Sequence, residues 1–360
     1  MCEKSIDNRV LYPDILRIIA IFAVITIHVC SSAFFSKPVL SFDWMVLNFY
    51  GSLVRWAVPI FVMVSGMFFL NPQKDLRLSK LYGKNIFRIV VALLFWGVLY
   101  QSINVFKVLF LSSSDINLII KTMIEEYSHV LLYPPCFHLW FLYMIVGLYV
   151  LTPLFRIFAK NAEKKDYRYL FFVYALFGIC LPFINDLLSV FVDGLKVNFE
   201  IVELLGYSTY FILGYYLSKF DVSNKIRRIV YLLAVLSVFF QFIATFLISD
   251  YLEKGCEFFY REFRPNVFVQ TVAVFLFVKE KTKIEISDRI KTTIRVMANY
   301  SFGIYLVHIF FNIFFSKIGF SATSFSPILA VPLRVLMTYL LSFITVLVLD
   351  KIPIIRKYCI

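Results

Sequence analysis

The chain is short of charge. Only 16% of its 360 residues are Asp, Glu, Lys or Arg, where a water-soluble domain carries roughly a quarter. It also has no Gly/Ser linker, no low-complexity tract and no polar domain-length segment. With 61% hydrophobic residues, a single water-soluble core is excluded, because a chain of this length cannot hide that much apolar surface from water. Whole classes of chemistry lack their signatures. Val64-Ser65-Gly66 misses the first glycine of a nucleophile elbow, and there is no P-loop, no HExxH and no dinucleotide fingerprint. Six cysteines and four histidines are present without a CxxC pair or metal-ligand spacing, so no metal is expected. Cys30 and Cys180 read as small apolar helix residues. Cys136 and Cys256 fall in segments placed outside the membrane and could pair in an oxidising compartment. Cys2 follows no signal sequence, and the first apolar run is too long, after too polar a lead, to be a cleaved leader.

What is present is a series of helix-length apolar runs, since about twenty such residues span a bilayer core. Spans are expected near 15–35, 44–70, 86–111, 138–158, 169–192, 202–217, 229–248, 265–278, 296–315 and 327–349, the sixth and eighth being short. The expectation is an all-α polytopic membrane protein, one bundle of about ten transmembrane helices forming a single membrane domain over 1–360.

The net charge of +13 does not point to nucleic acid, because the basic residues sit in short groups between the spans. One set of ends carries Lys74, Arg77, Lys80, Lys84 and Arg88, then Arg156 to Arg168, Lys219 to Arg228, the 279–295 run, and Lys351, Arg356 and Lys357. The opposite loops are more acidic. This asymmetry places both termini in the cytoplasm, in the plasma (inner) membrane. Two outer loops, 112–137 and 249–264, are long enough to cap a cavity.

Ionisable residues inside spans are functional candidates by default. The first span supplies Asp14, Arg17 and His28. Eleven residues at about 100° each put Arg17 and His28 on one face, about 16 Å apart along the axis. Asp14, at i−3, can hold the guanidinium. An Arg at the cytoplasmic mouth suits phosphate recognition, and a deeper neutral imidazole could take a proton from a hydroxyl. A snorkelling anchor and a helix-bonded histidine fit each residue taken alone. Lys84 and Arg88, at i and i+4, could extend a basic pocket or simply anchor the third span. Arg55 and Arg334 lie within spans and each needs an anionic or carbonyl partner, whether by structural pairing, for example with Glu203, or by substrate contact. Ser301, Tyr305 and His308 form a polar stripe that either lines a cavity or knits helices. His138 and Trp140 open the fourth span, where an aromatic belt explains much of the segment.

Asp14-Ile-Leu-Arg17…His28 resembles the first-helix Arg-x10-His signature of acyltransferase family 3. Val58-Pro59-Ile-Phe61-Val-Met-Val-Ser65-Gly66, the Lys84-to-Arg88 segment, His138-Leu-Trp140, Tyr210 to Tyr215, Ser301 to His308 and Lys351-Ile-Pro353 are similar to further family blocks in the same order. The resemblance implies transfer of an acyl group, usually acetyl, from cytoplasmic acyl-CoA as co-substrate to a carbohydrate hydroxyl near the outer face. His28 would be catalytic with Asp14 and Arg17. Arg17, Lys84 and Arg88 would serve the CoA phosphates, and Arg55, His138, Trp140, Tyr305 and His308 the acceptor. The acceptor would be a lipid-linked or polymeric glycan of the cell envelope. Two features depart from the family pattern: Asn85 stands where one member of the basic pair is expected, and no extracytoplasmic hydrolase-like domain follows. Transfer is then expected within the bundle or to a separate extracytoplasmic partner protein. A transporter or flippase for an anionic lipid or metabolite is the alternative, although the two halves show no convincing repeat.

Overall fold

The computed structural model describes residues 10–111, 116–192, 201–282 and 286–360. Regular structure among them is entirely helical. In chain order the helices are α1 (Tyr12–Phe34), α2 (Phe42–Val54), α3 (Ala57–Phe69), α4 (Phe87–Leu111), α5 (Ile116–Leu132), α6 (Trp140–Asn161) and α7 (Lys164–Val173). They continue as α8 (Leu181–Phe191), α9 (Ile201–Lys219), α10 (Asn224–Tyr251), α11 (Pro265–Lys281), α12 (Asp288–Lys317), α13 (Pro327–Leu349) and α14 (Pro353–Tyr358). Eight helical segments among the described residues are long and apolar enough to cross a membrane. The sixth and eighth expected spans are the shorter α9 and α11, of 19 and 17 residues. The chain is an all-α polytopic membrane protein.

Local chemistry accounts for the interruptions. The second span is two helices, because Pro59 has no N–H to give the carbonyl of Arg55 four residues back; hydrogen bonding resumes with Ile60 N–H to the Trp56 carbonyl at 3.2 Å. Arg55 therefore sits at a helix break. Leu81–Ile86 and Tyr174–Cys180 are π-helical turns, a geometry often found at functional segments. Lys84 lies in the first of these, so Lys84 and Arg88 are not the simple α-helical i, i+4 pair that their spacing suggests. The two long loops, 112–137 and 249–264, are partly helical among their described residues, holding α5 and the 3₁₀ turn Phe258–Tyr260.

The chain divides into two compact units. The first comprises the described parts of 1–68, 162–301 and 312–339, and the second those of 69–161, 302–311 and 340–360. In the first, α1 packs on α2 and α11, and α2 packs also on α10, which runs against α11. Helices α3 and α9 touch backbone to backbone. A Cβ on Gly66 would lie 1.8 Å from the Phe211 carbonyl oxygen, and one on Gly214 would lie 2.0 Å from that of Met63. Small residues at such crossings are how helices associate where lipid removes the hydrophobic drive.

In the second unit α4 packs with α5, α6 and α14. Trp96 Nε1 donates to the Cys359 carbonyl at 2.9 Å. Arg156 gathers the carbonyls of Phe69, Asn71 and Lys74 at 2.8, 2.8 and 2.6 Å, which closes the turn after α3. That satisfies in one residue several backbone acceptors that a helix end leaves open.

Candidate functional site

Helix α1 is unbroken from Tyr12 to Phe34, so the single face inferred for Arg17 and His28 exists. Pro13 in its first turn needs no N–H partner, and the run of aliphatic residues carries it inward. Asp14 is fully buried and lies 3.5 Å from an Arg17 nitrogen, while Arg17 keeps 27% of its side chain accessible and packs over Phe68 at 5.1 Å. His28 is half-buried. Between them on the same face Ile21 and Val24 are 1% and 2% exposed. The face is thus accessible at its two ends and closed in the middle.

At the far end of α1, polar residues from distant segments converge. Arg334, completely buried in α13, donates through one nitrogen to the Asn312 carbonyl at 2.9 Å, the Asn312 side-chain oxygen at 2.6 Å and the Ser316 hydroxyl at 2.7 Å. Asn312 in turn donates to the His28 carbonyl at 3.2 Å. A buried guanidinium therefore acts on the backbone at His28 through one intermediary. Its other two nitrogen positions have no hydrogen-bond acceptor.

Arg55, released at the helix break, pairs with Glu257 at 3.3 Å and lies 3.8 Å above the Tyr260 ring. Glu257 is a carboxylate partner of Arg55, while the Glu203 side chain considered for such a pairing lies outside the described residues. Ser31, one turn beyond His28, reaches the same Glu257 oxygen at 3.5 Å. Tyr260 donates to Asn48, on both its carbonyl and side-chain oxygens. Arg55, Glu257 and Tyr260 border a cavity of about 460 Å³ that also presents Asp186, Arg261 and Glu262. The wall is held by Arg264, 3% exposed, which bonds the Phe258 carbonyl at 3.0 Å and Asp186 at 2.8 Å and covers the Phe258 ring. Desolvation raises the Glu262 carboxyl above its ordinary pKa, with Arg55 and Arg261 opposing it. Burial likewise raises the Tyr260 phenol, which keeps it a hydrogen-bond donor.

The second unit brings two residues of the polar stripe, Tyr305 and His308, together with His138. The His138 ring lies 5.5 Å from Tyr305 and 5.4 Å from His308 between centroids, with Tyr100 at 5.3 Å. All four are buried. Tyr305 donates to the His138 carbonyl, and Tyr100 donates to that of Leu306 at 2.8 Å. His308 Nδ1 lies 2.6 Å from the Tyr305 carbonyl; because a carbonyl only accepts, Nδ1 carries the proton and Nε2 is the basic nitrogen. Trp140, next to the cluster in sequence, sets its ring edge-on to Phe141. Ser301 belongs to the first unit and turns its hydroxyl back to the Ala298 carbonyl. Arg88 donates to the Ile360 carbonyl and lies 5.8 Å from the Phe302 ring centre, and Lys84 is exposed. Cys136 and Cys256 are free thiols. Burial pushes the Cys136 thiol up to about 11, which makes it a poor nucleophile. No group of metal-binding residues occurs among the described residues.

Comparison with family descriptions finds one match, described as an acyltransferase domain, over residues 10–347. That is almost the whole chain. It belongs to acyltransferase family 3. Searches of curated proteins and of solved structures find no match. The protein is accordingly a multi-pass membrane acyltransferase.

In this acyltransferase several residues around the cavity and His28 had no local signal. Glu257, Tyr260 and Glu262 sit in an outer loop rich in ordinary surface residues, and Asn312 lies in a run of phenylalanines. Only intramembrane Arg55 and Arg334 signalled that partners had to exist somewhere.

Proposed function

We propose that the protein transfers an acyl group, acetyl in the simplest case, from cytoplasmic acyl-CoA to a hydroxyl of a cell-envelope carbohydrate. The observation that carries this reading is α1 itself. One unbroken helix holds an Asp14-paired arginine near one end and a half-buried histidine about three turns further on. Arg17 meets the anionic head of the donor, with Lys84 and Arg88 proposed as further phosphate contacts. His28 takes the proton of the acceptor hydroxyl as its oxygen attacks the thioester carbonyl carbon. The carbon–sulfur bond breaks, and the proton passes to the leaving thiolate, giving an ester and free CoA. Asp14 orients Arg17, and Arg334 with Asn312 fixes the backbone that carries the imidazole.

The His138, Tyr305 and His308 cluster, with Trp140 beside it, is proposed to contact the acceptor, as is Arg55. A lipid-linked or polymeric glycan on the outer side of the plasma membrane is the acceptor class, with a separate extracytoplasmic protein as a further proposed recipient. The test uses purified protein in lipid nanodiscs and acyl-labelled acyl-CoA. Wild type is expected to release CoA and label a glycan fraction, and His28→Ala is expected to do neither at unchanged folding. Full activity of the folded His28→Ala variant removes His28 from the mechanism. Gradient-driven flux without a labelled product favours the transporter alternative.

A further inference from the structure

Three arginines of the first unit have a carboxylate close by. Asp14 lies 3.5 Å from Arg17, Glu257 lies 3.3 Å from Arg55, and Asp186 lies 2.8 Å from Arg264. Arg334 has no such partner among the described residues. It stands about 10 Å along α13 from Pro327, and it is completely buried. Its neighbours account for one nitrogen only. The Asn312 carbonyl, the Asn312 side-chain oxygen and the Ser316 hydroxyl all converge on Nη2, at 2.9, 2.6 and 2.7 Å. These are neutral dipoles, and they draw on two of the five guanidinium N–H bonds. The other three, one on Nε and two on Nη1, meet no acceptor. A cation inside a span is costly unless something balances its charge.

One turn along the same face of α13, Thr338 is also completely buried, and its hydroxyl has no partner. Cα–Cβ bonds lean toward the N-terminus of a helix, so this hydroxyl leans toward Arg334. Cys30, buried on α1, lies within electrostatic reach of the guanidinium. The surroundings decide what fits. Nε and Nη1 are sealed from solvent, which excludes a bulky ligand. Ser316, Thr338 and Cys30 carry short side chains that turn about a single bond, and this leaves room for an ion to be admitted. One negative charge cancels that of the guanidinium, whereas a divalent anion leaves a buried charge of the opposite sign. Water satisfies N–H bonds but leaves the charge in place.

We infer that Arg334 and Thr338 form a site for one small monovalent anion of the halide class. Bound there, the ion neutralises the guanidinium that is linked through Asn312 to the His28 carbonyl. The inference does not depend on acyl transfer, and its test needs no turnover. Equilibrium dialysis of the full-length protein in nanodiscs against radiolabelled chloride, at fixed ionic strength in gluconate, is expected to show one saturable site. Bromide should displace the label, with sulfate and gluconate at least about tenfold weaker. Replacing gluconate by chloride from about 1 to about 100 mM should raise the melting temperature by about 2 °C or more and then saturate. Arg334→Met is expected to lose the site, Arg55→Gln to keep it, and Thr338→Val to weaken chloride about tenfold. Should Arg334→Met fail to fold, Thr338→Val and the wild-type ion series decide the matter. Absence of saturable chloride binding, equal affinity for sulfate, or binding indifferent to Arg334→Met and Thr338→Val overturns the inference. A chloride site absent from wild type and gained in Cys30→Ala also overturns it, by assigning the Cys30 thiolate as the counter-ion.

Discussion

Replacing Gly66 by alanine tests the packing that supports the first unit, and its cost can be worked from one contact. The added methyl would start 1.8 Å from the Phe211 carbonyl oxygen and 2.6 Å from its carbon. Both obstacles are backbone, so no side-chain rotation relieves them, and the gap must open to at least 3.0 Å. Overpacking of this kind costs about 1–3 kcal/mol, and the rigid partner places Gly66→Ala at the upper end, about 3 kcal/mol. Alanine recovers up to about 1 kcal/mol of helix propensity, leaving a net loss of about 2 kcal/mol. Gly147 is the internal control, since a Cβ there meets nothing within 4 Å. Gly147→Ala should therefore be neutral or stabilising by up to about 1 kcal/mol. Reversible unfolding of the two variants in mixed micelles, with SDS as denaturant, measures the difference directly. Indistinguishable midpoints would mean that α3 and α9 do not cross at Gly66 as described.

Arg334→Met keeps the length of the side chain but strips the Asn312 and Ser316 oxygens of their donor. Leaving those buried neutral oxygens without this donor should cost about 1–3 kcal/mol in the same unfolding assay. If the residue positions His28, kcat should fall with KM for acyl-CoA unchanged, and Arg334→Lys should recover part of kcat. Equal loss in kcat/KM through KM alone would place Arg334 on the donor instead. For Glu262, the folded pKa stands above the unfolded carboxyl value, so the folded state binds the proton more tightly. Stability should rise as pH falls through the raised pKa toward the unfolded value, and this contribution should be absent at higher pH. Glu262→Gln should flatten that part of the stability–pH curve; an unchanged curve would assign the acid response to other groups.

The spans were legible because hydrophobic length is a local property, and the Asp14–Arg17 pair because three residues of helix bring them together. The break at Arg55 was missed by the single span expected over 44–70, although its cause, Pro59, is local. The π-turn that carries Lys84 was not legible either, since no residue in Leu-Tyr-Gly-Lys-Asn-Ile demands a widened turn over an α-helical one. Arg55 and Glu257 stand 202 residues apart, and Arg334 reaches His28 only through Asn312. Sequence spacing shows that such buried cations require partners but does not name them, because the partner is chosen by which helices pack. The cavity escaped notice for the same reason: its walls come from α8, the break between α2 and α3, and the loop after α10.

The two aliphatic residues between Arg17 and His28 have a consequence for the cell. Ile21 and Val24 are sealed from solvent, so this stripe of α1 offers ions no continuous wet track. Each elementary charge falling through a 100 mV potential releases about 2.3 kcal/mol, and a permanently hydrated groove would let that gradient drain away. Under the proposed transfer, a dry stretch two side chains long would let the chemistry draw on both faces of a charged membrane without short-circuiting it.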